Sequence, residues 1–179
     1  MQPNDIIDFW FNELESQAWF AKDDDLDNNI KERFSEIHKK ASCGELIEWR
    51  QTPEGRLAEI IILDQFSRNM FRGTAETFAY DTLALVLAEE AVSLQADKQL
   101  TTQQKIFLYM PYMHSESKKV HEVAMTLYSQ SGLEQNFEYE KMHKDIIDRF
   151  GRYPHRNDLL KRNSTPEELE FLKGSNSSF

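Results

Sequence analysis

The stretch Leu57–Gly73, reading LAEIIILDQFSRNMFRG, constrains the fold of this chain more than any other. Ile60, Ile61, Ile62 and Leu63 run together, and Asp64 and Gln65 follow at once, with Arg68, Asn69 and Arg72 beyond them. A segment apolar on every side belongs in a core, and polar groups joined to it are carried inward unless the chain turns away. Two readings follow. Either these groups form a buried polar network that fixes the fold, or they make one wall of a ligand site.

The local signals around that stretch are helical. Thr52-Pro53 supplies a cap and a proline at the first helical position, and the seam Leu57, Ile60, Ile61, Asp64 continues in steps of four to Arg68 and Arg72. Upstream, Asn4 or Asp5 can cap a helix carrying Ile6, Ile7, Phe9 and Trp10. Asp24 or Asp25 opens another with Leu26, Ile30, Phe34, Ile37 and Ala41 on one face, closed by Ser42-Cys43-Gly44. Downstream, Asp81 reads as the cap of a helix from Thr82 to Gln95 with Leu83, Leu87, Ala91 and Leu94 inward. Thr101 with Gln104 makes a capping box, and Pro111 is expected to kink or break the helix that follows. Val120, Val123, Ala124, Leu127 and Tyr128 mark the next helix, and a further one runs from about Asn136 to Phe150, closed by Gly151. Pro154 makes Arg152–Asn157 a turn, and Thr165-Pro166-Glu167-Glu168 is a strong helix start.

No alternating strand pattern occurs, so the expectation is an all-α chain of about eight packed helices. Residues 1–173 read as one domain, with a polar tail over 174–179. The 179 residues, 40% hydrophobic and 12% aromatic, can bury a sizeable core and exclude disorder. A net charge of -10 argues against nucleic acid or an anionic membrane surface as partner. The lone Cys43 excludes a disulfide framework and a Cys-based zinc site. Met1-Gln2-Pro3-Asn4 shows neither a basic leader nor a long apolar segment, and no apolar run reaches the roughly 20 residues a bilayer needs, so the expected location is cytoplasmic. There is no Walker loop, dinucleotide glycine fingerprint or Gly-x-Ser-x-Gly elbow, and no paired metal-ligand spacing, so neither cofactor nor metal is expected.

Three polar clusters adjoin strongly apolar segments. The first is Asp64, Gln65, Arg68, Asn69 and Arg72, whose acid and bases could be a helical ion-pair network or bind a ligand. The second is His114, Ser115 and Glu116, where His114 could carry protons with Glu116 orienting it, or the serine could cap the next helix. The third is His143, Arg149, Arg152, His155, Arg156 and Asn157, which could grip a carboxylate or phosphate or satisfy helix-end carbonyls. His38 and His121 have charged neighbours and read as surface residues.

The phrases IIILDQFSRNMFRGTAETFAYD, FLYMPYMHSES, HKDIIDRFGRYPHRN and NSTPEELEFL, taken together, resemble the bacterial family of domain of unknown function nine-two-four over nearly the whole chain. The resemblance implies a tetratricopeptide-like α-α superhelix and no established reaction. Its pattern falls on Asp64, Gln65, Phe66, Arg68, Asn69, Arg72 and Gly73, on His114, Ser115 and Glu116, and on His143, Gly151, Arg152, Pro154, His155, Arg156 and Asn157. Two departures stand out. The family usually has proline where this chain has Ser67, which implies a helix ending near Phe66 with Arg68 and Asn69 on the exit turn. It usually has glycine where this chain has Lys161.

Three functions are compatible with these residues. A small anion or an acidic chain end could be held by Asp64, Gln65, Arg68, Asn69, Arg72, Arg152, His155, Arg156 and Asn157. An enzyme could use His114, Glu116 and His143 for acid-base chemistry. A scaffold could keep the polar clusters structural and grip a protein partner. Oligomeric state is open in all three.

Overall fold

A computed structural model describes residues 1–174. The expected polar tail beyond Gly174 lies outside the described residues. All regular secondary structure among them is helical. The α-helices are α1 (Pro3–Asp8), α2 (Asp24–Ser42), α3 (Pro53–Ile61), α4 (Ser67–Met70), α5 (Asp81–Ser93), α6 (Thr102–Met113), α7 (Lys118–Tyr128), α8 (Glu134–Phe150) and α9 (Pro166–Phe171). They form two compact units, Met1–Arg72 with Glu76–Pro111, and Gly73–Ala75 with Tyr112 onward.

In the first unit, α3 packs on α1 and α5, and α2 packs on α4 and the segment before it. This enclosure is why Ile60, Ile61, Ile62 and Leu63 are all fully buried. Thr52 caps α3, its hydroxyl accepting the Gly55 N–H at 3.1 Å. Gly55 has no room for a side chain: a Cβ there would stand 1.9 Å from the Trp49 carbonyl oxygen. The helix does not end near Phe66. It passes through a π turn at Ile62–Phe66 directly into α4, so Arg68 and Asn69 lie on the helix and the chain leaves it only at Phe71. The Ser67 hydroxyl donates to the Leu63 carbonyl one turn back at 2.6 Å.

Other local expectations shift by a residue or more. Gln2 is the N-cap of α1, and Asp5 reaches back to accept the Gln2 N–H at 2.7 Å. Asp23 is the cap of α2, accepting from the N–H groups of Asp25 and Leu26. Asp81 begins α5 instead of capping it, because its carboxylate is engaged by Arg68. Leu94 points outward at 58% exposure, while Ala84, Leu87, Ala88 and Ala91 face inward. Pro111 lies inside α6, which runs on to Met113. Around Phe9, Trp10, Phe34, Phe66 and Phe107 the aromatic rings meet edge-on or tilted, with Phe9 to Phe34 at 4.7 Å and Phe34 to Phe66 at 4.8 Å.

In the second unit α7 pairs with α8, whose Ile146 and Ile147 pack with Tyr153, flanked by Phe150 and Phe171. Gly151 closes α8 in the left-handed region at φ 70°, where glycine carries no steric penalty. The turn expected at Pro154 is a short 3₁₀ segment, Pro154–Arg156. The Thr165–Glu168 capping box opens α9 as expected. Lys161, where the family pattern has glycine, holds φ 54°.

Candidate functional site

The first cluster lies wholly in the first unit. Asp64 is fully buried, and the Gln65 amide donates to its Oδ2 at 2.5 Å and to Met110 Sδ at 3.2 Å. Arg68 Nη1 is 3.1 Å from Asp64 Oδ1 and bridges to Asp81, with Nη1–Oδ1 at 2.9 Å and Nη2–Oδ2 at 3.2 Å. Asn69 and Arg72 converge on Asp27 of α2: Asn69 Nδ2 donates at 2.7 Å, Arg72 Nε at 2.5 Å and Arg72 Nη2 at 2.9 Å. Both arginines thus form forked, charge-assisted contacts to carboxylates of their own unit.

Beside this network stands a residue expected at the surface. His38 is only 4% exposed, its ring edge-on to Phe71 and Tyr80 at 5.3 and 5.0 Å. Its Nε2 is 2.8 Å from Ser67 Oγ, whose own hydrogen goes to the Leu63 carbonyl. His38 therefore carries its proton on Nε2 and donates it to Ser67, which leaves Nδ1 as an acceptor. No described residue donates to Nδ1. Burial depresses the imidazole to a pKa of about 4, so it stays neutral at neutral pH. His38 lines a surface hollow of about 270 Å³ with Lys31, Ser35, Lys39, Phe71 and Tyr80. Neither lysine has a carboxylate within ion-pair reach among the described residues. A larger hollow, about 410 Å³, is mainly acidic, and its Arg33 is forked onto Glu13.

The second and third clusters come together in the second unit, around Tyr153. Its ring meets those of His121, His143 and His155 at 6.3, 5.8 and 5.5 Å, and the Arg156 guanidinium lies 4.8 Å from its centroid. Arg156 also donates to the His114 carbonyl at 3.0 Å. Glu116 does not orient His114 through its carboxylate. It accepts the Tyr153 N–H at 2.7 Å and a fork from Arg162 at 2.6 and 2.9 Å. Burial pushes this carboxyl up, but the Arg162 and Tyr153 hydrogen bonds outweigh it and hold it below the usual range. Arg162 reaches Asn157 Oδ1 at 3.0 Å, and Asn157 in turn donates to Ser164. Arg152 is forked onto Glu168 at 2.6 and 2.8 Å, which with other contacts lowers Glu168 to about 2. Arg149 lies apart from this centre, paired with Glu167 on the surface.

His121 is the other residue misplaced by the sequence, being fully buried. Its Nε2 is 2.8 Å from the Ser115 carbonyl and 3.2 Å from the Tyr153 hydroxyl, which gives its own hydrogen to the Met113 carbonyl. Both neighbours of Nε2 are acceptors, so Nε2 carries a proton. Nδ1 faces Glu140 Oε1 at 2.6 Å, and one further proton bridges that contact. Glu140 Oε2 is buried without a hydrogen bond, and burial raises the Glu140 carboxyl. His143 donates from Nδ1 to the Tyr139 carbonyl at 2.8 Å, and burial lowers it to about 3.

Both missed histidines had a periodic signal. His38 stands four residues after Phe34 and eight after Ile30, and His121 stands three before Ala124 and seven before Tyr128. Among the described residues no three His, Cys, Asp or Glu groups are placed to hold a metal ion, and no helix is long and apolar enough to cross a membrane.

Fold and site together define an all-α protein in which two sets of ion-paired polar side chains are built into helical cores. The chain belongs to the family described as bacterial protein of unknown function (DUF924), whose model matches residues 6–176. It is similar to a solved structure from Agrobacterium tumefaciens, titled as the protein of unknown function ATU0120, at 39% identity and a TM-score of 0.92, covering 96% of this chain and 97% of that one. None of the curated proteins compared matches it.

Proposed function

We propose that this chain binds a small carboxylate anion, and that the hollow beside His38 is where it is held. The observation carrying this is the pairing of two uncompensated lysines with a buried neutral imidazole. In a chain of net charge -10, cations without carboxylate partners beside a hollow are the best placed to receive an anion. Arg68, Arg72 and Arg152 are assigned to the frame, because each is already forked onto a carboxylate. The pairing of α7 with α8 supports a tetratricopeptide-like arrangement of helical hairpins as that frame. Titration calorimetry with acetate tests the reading. The Lys31→Ala/Lys39→Ala double variant, altered only at exposed positions, should weaken acetate binding by about tenfold. Unchanged affinity would contradict it.

Acid-base catalysis is the second reading, favoured by the histidine rings around Tyr153. Half-buried His114 is its accessible proton carrier, while Glu116 and His143 hold the surrounding geometry. In that case His114→Ala abolishes turnover of a substrate found by screening and leaves thermal stability intact. A large loss of Tm would assign His114 to the frame.

A further inference from the structure

We propose that the His38 hollow selects hydroxycarboxylates, with His38 Nδ1 accepting the ligand's hydroxyl hydrogen while Lys31 and Lys39 hold its carboxylate. This deepens the anion-binding reading above and rests on it.

The selectivity follows from a fixed tautomer. Ser67 can donate only one hydrogen, and the Leu63 carbonyl 2.6 Å away takes it. His38 must then donate from Nε2, at 2.8 Å, and Nδ1 keeps its lone pair. Reversing the roles would break the Ser67–Leu63 bond inside a fully buried site. The edge-on rings of Phe71 and Tyr80 hold the imidazole between them. An anion without a donor therefore brings oxygen lone pairs against a nitrogen lone pair and displaces water from it. A hydroxyl replaces that water's hydrogen bond. The volume, about 270 Å³, exceeds what an inorganic ion fills and suits a short organic acid.

Lactate and propionate make the comparison, since they share charge and chain length and differ by one hydroxyl. In NMR titrations of the full chain, lactate should bind about tenfold more tightly than propionate, because a site with a committed acceptor rejects the analogue lacking its donor. The His38→Gln variant keeps a donor for Ser67 but displaces the acceptor, so lactate should fall to the affinity of propionate and propionate should be unmoved. A second readout needs no variant: the ¹⁵N resonance of His38 Nδ1 should shift with lactate and stay in place with propionate. Equal affinities and equal Nδ1 shifts for the two acids would overturn the selectivity and leave anion binding standing. Absence of binding by either acid would overturn both.

Discussion

Lys161 holds φ 54°, a backbone region that penalises any residue with a Cβ, and its N–H bonds to the Asp158 carbonyl at 3.2 Å. Lys161→Gly should remove that penalty and stabilise the chain by about 0.5–1 kcal/mol, a rise in Tm of roughly 1–4 °C. A lower Tm in a thermal melt would show that the lysine side chain contributes more than its backbone costs. His38 and His143 make the opposite kind of statement. Their folded pKa values, about 4 and about 3, lie below the 6.5 of an unfolded histidine. Over the window from 6.5 down to those values the unfolded chain binds more protons, so stability is full above 6.5 and is lost as pH falls. Urea midpoints should therefore drop between about pH 7 and pH 5, and His38→Gln should flatten the drop. An equally steep drop in that variant would remove His38 from the account. The sequence signal for Lys161 was readable as a departure from a glycine pattern. The burial of His38 and His121 was hidden by charged neighbours, although their helical spacing to Phe34, Ala124 and Tyr128 pointed inward.

The helices themselves carry most of what the chain states openly. Thr52-Pro53, Thr101 with Gln104, and Thr165 with Glu168 are caps formed by local hydrogen bonds, and local chemistry is legible in sequence. The π turn at Ile62–Phe66 was not, since it depends on what encloses the helix, and the proline pattern at Ser67 pointed to a helix end there instead. Nor were the partners of the arginines, because Asp27 and Arg72 are 45 residues apart, and Glu116 and Arg162 are 46. Two element-scale predictions follow from packing. Gly55→Ala should cost about 1–3 kcal/mol in urea unfolding, because its Cβ would overlap the backbone carbonyl of Trp49, which cannot swing aside as a side chain can. The His121–Glu140 pair should show strong coupling between α7 and α8. His121→Leu alone should cost about 1–3 kcal/mol, because it leaves the buried Glu140 carboxyl without its partner, and His121→Leu with Glu140→Leu distinctly less. Additive losses in that double-mutant cycle would mean the two side chains act independently.

For the molecule as a whole, the all-α fold and the family were legible from patterning and from four phrases of sequence, and the similar Agrobacterium structure accords with both. The candidate site was legible only in part. The second and third clusters do meet around Tyr153, but Arg152 is taken up by Glu168 and Glu116 by Arg162, pairings that sequence distance concealed. The hollow proposed to hold an anion takes Lys31, Ser35, His38 and Lys39 from α2, residues that no motif marked. The chain crosses between the two units at Arg72–Gly73, at Ala75–Glu76 and, inside α6, at Pro111–Tyr112. We propose that residues 1–173 unfold as one domain, so the calorimetric and van't Hoff enthalpies should agree; two resolved transitions would refute this. The central claim, that an anion is held beside His38, is tested most directly by mapping amide shifts during a lactate titration. The account predicts saturable shifts confined to Lys31, Ser35, His38, Lys39 and the Phe71–Tyr80 segment. Shifts centred on Arg152–Asn157, with the His38 hollow silent, would contradict it.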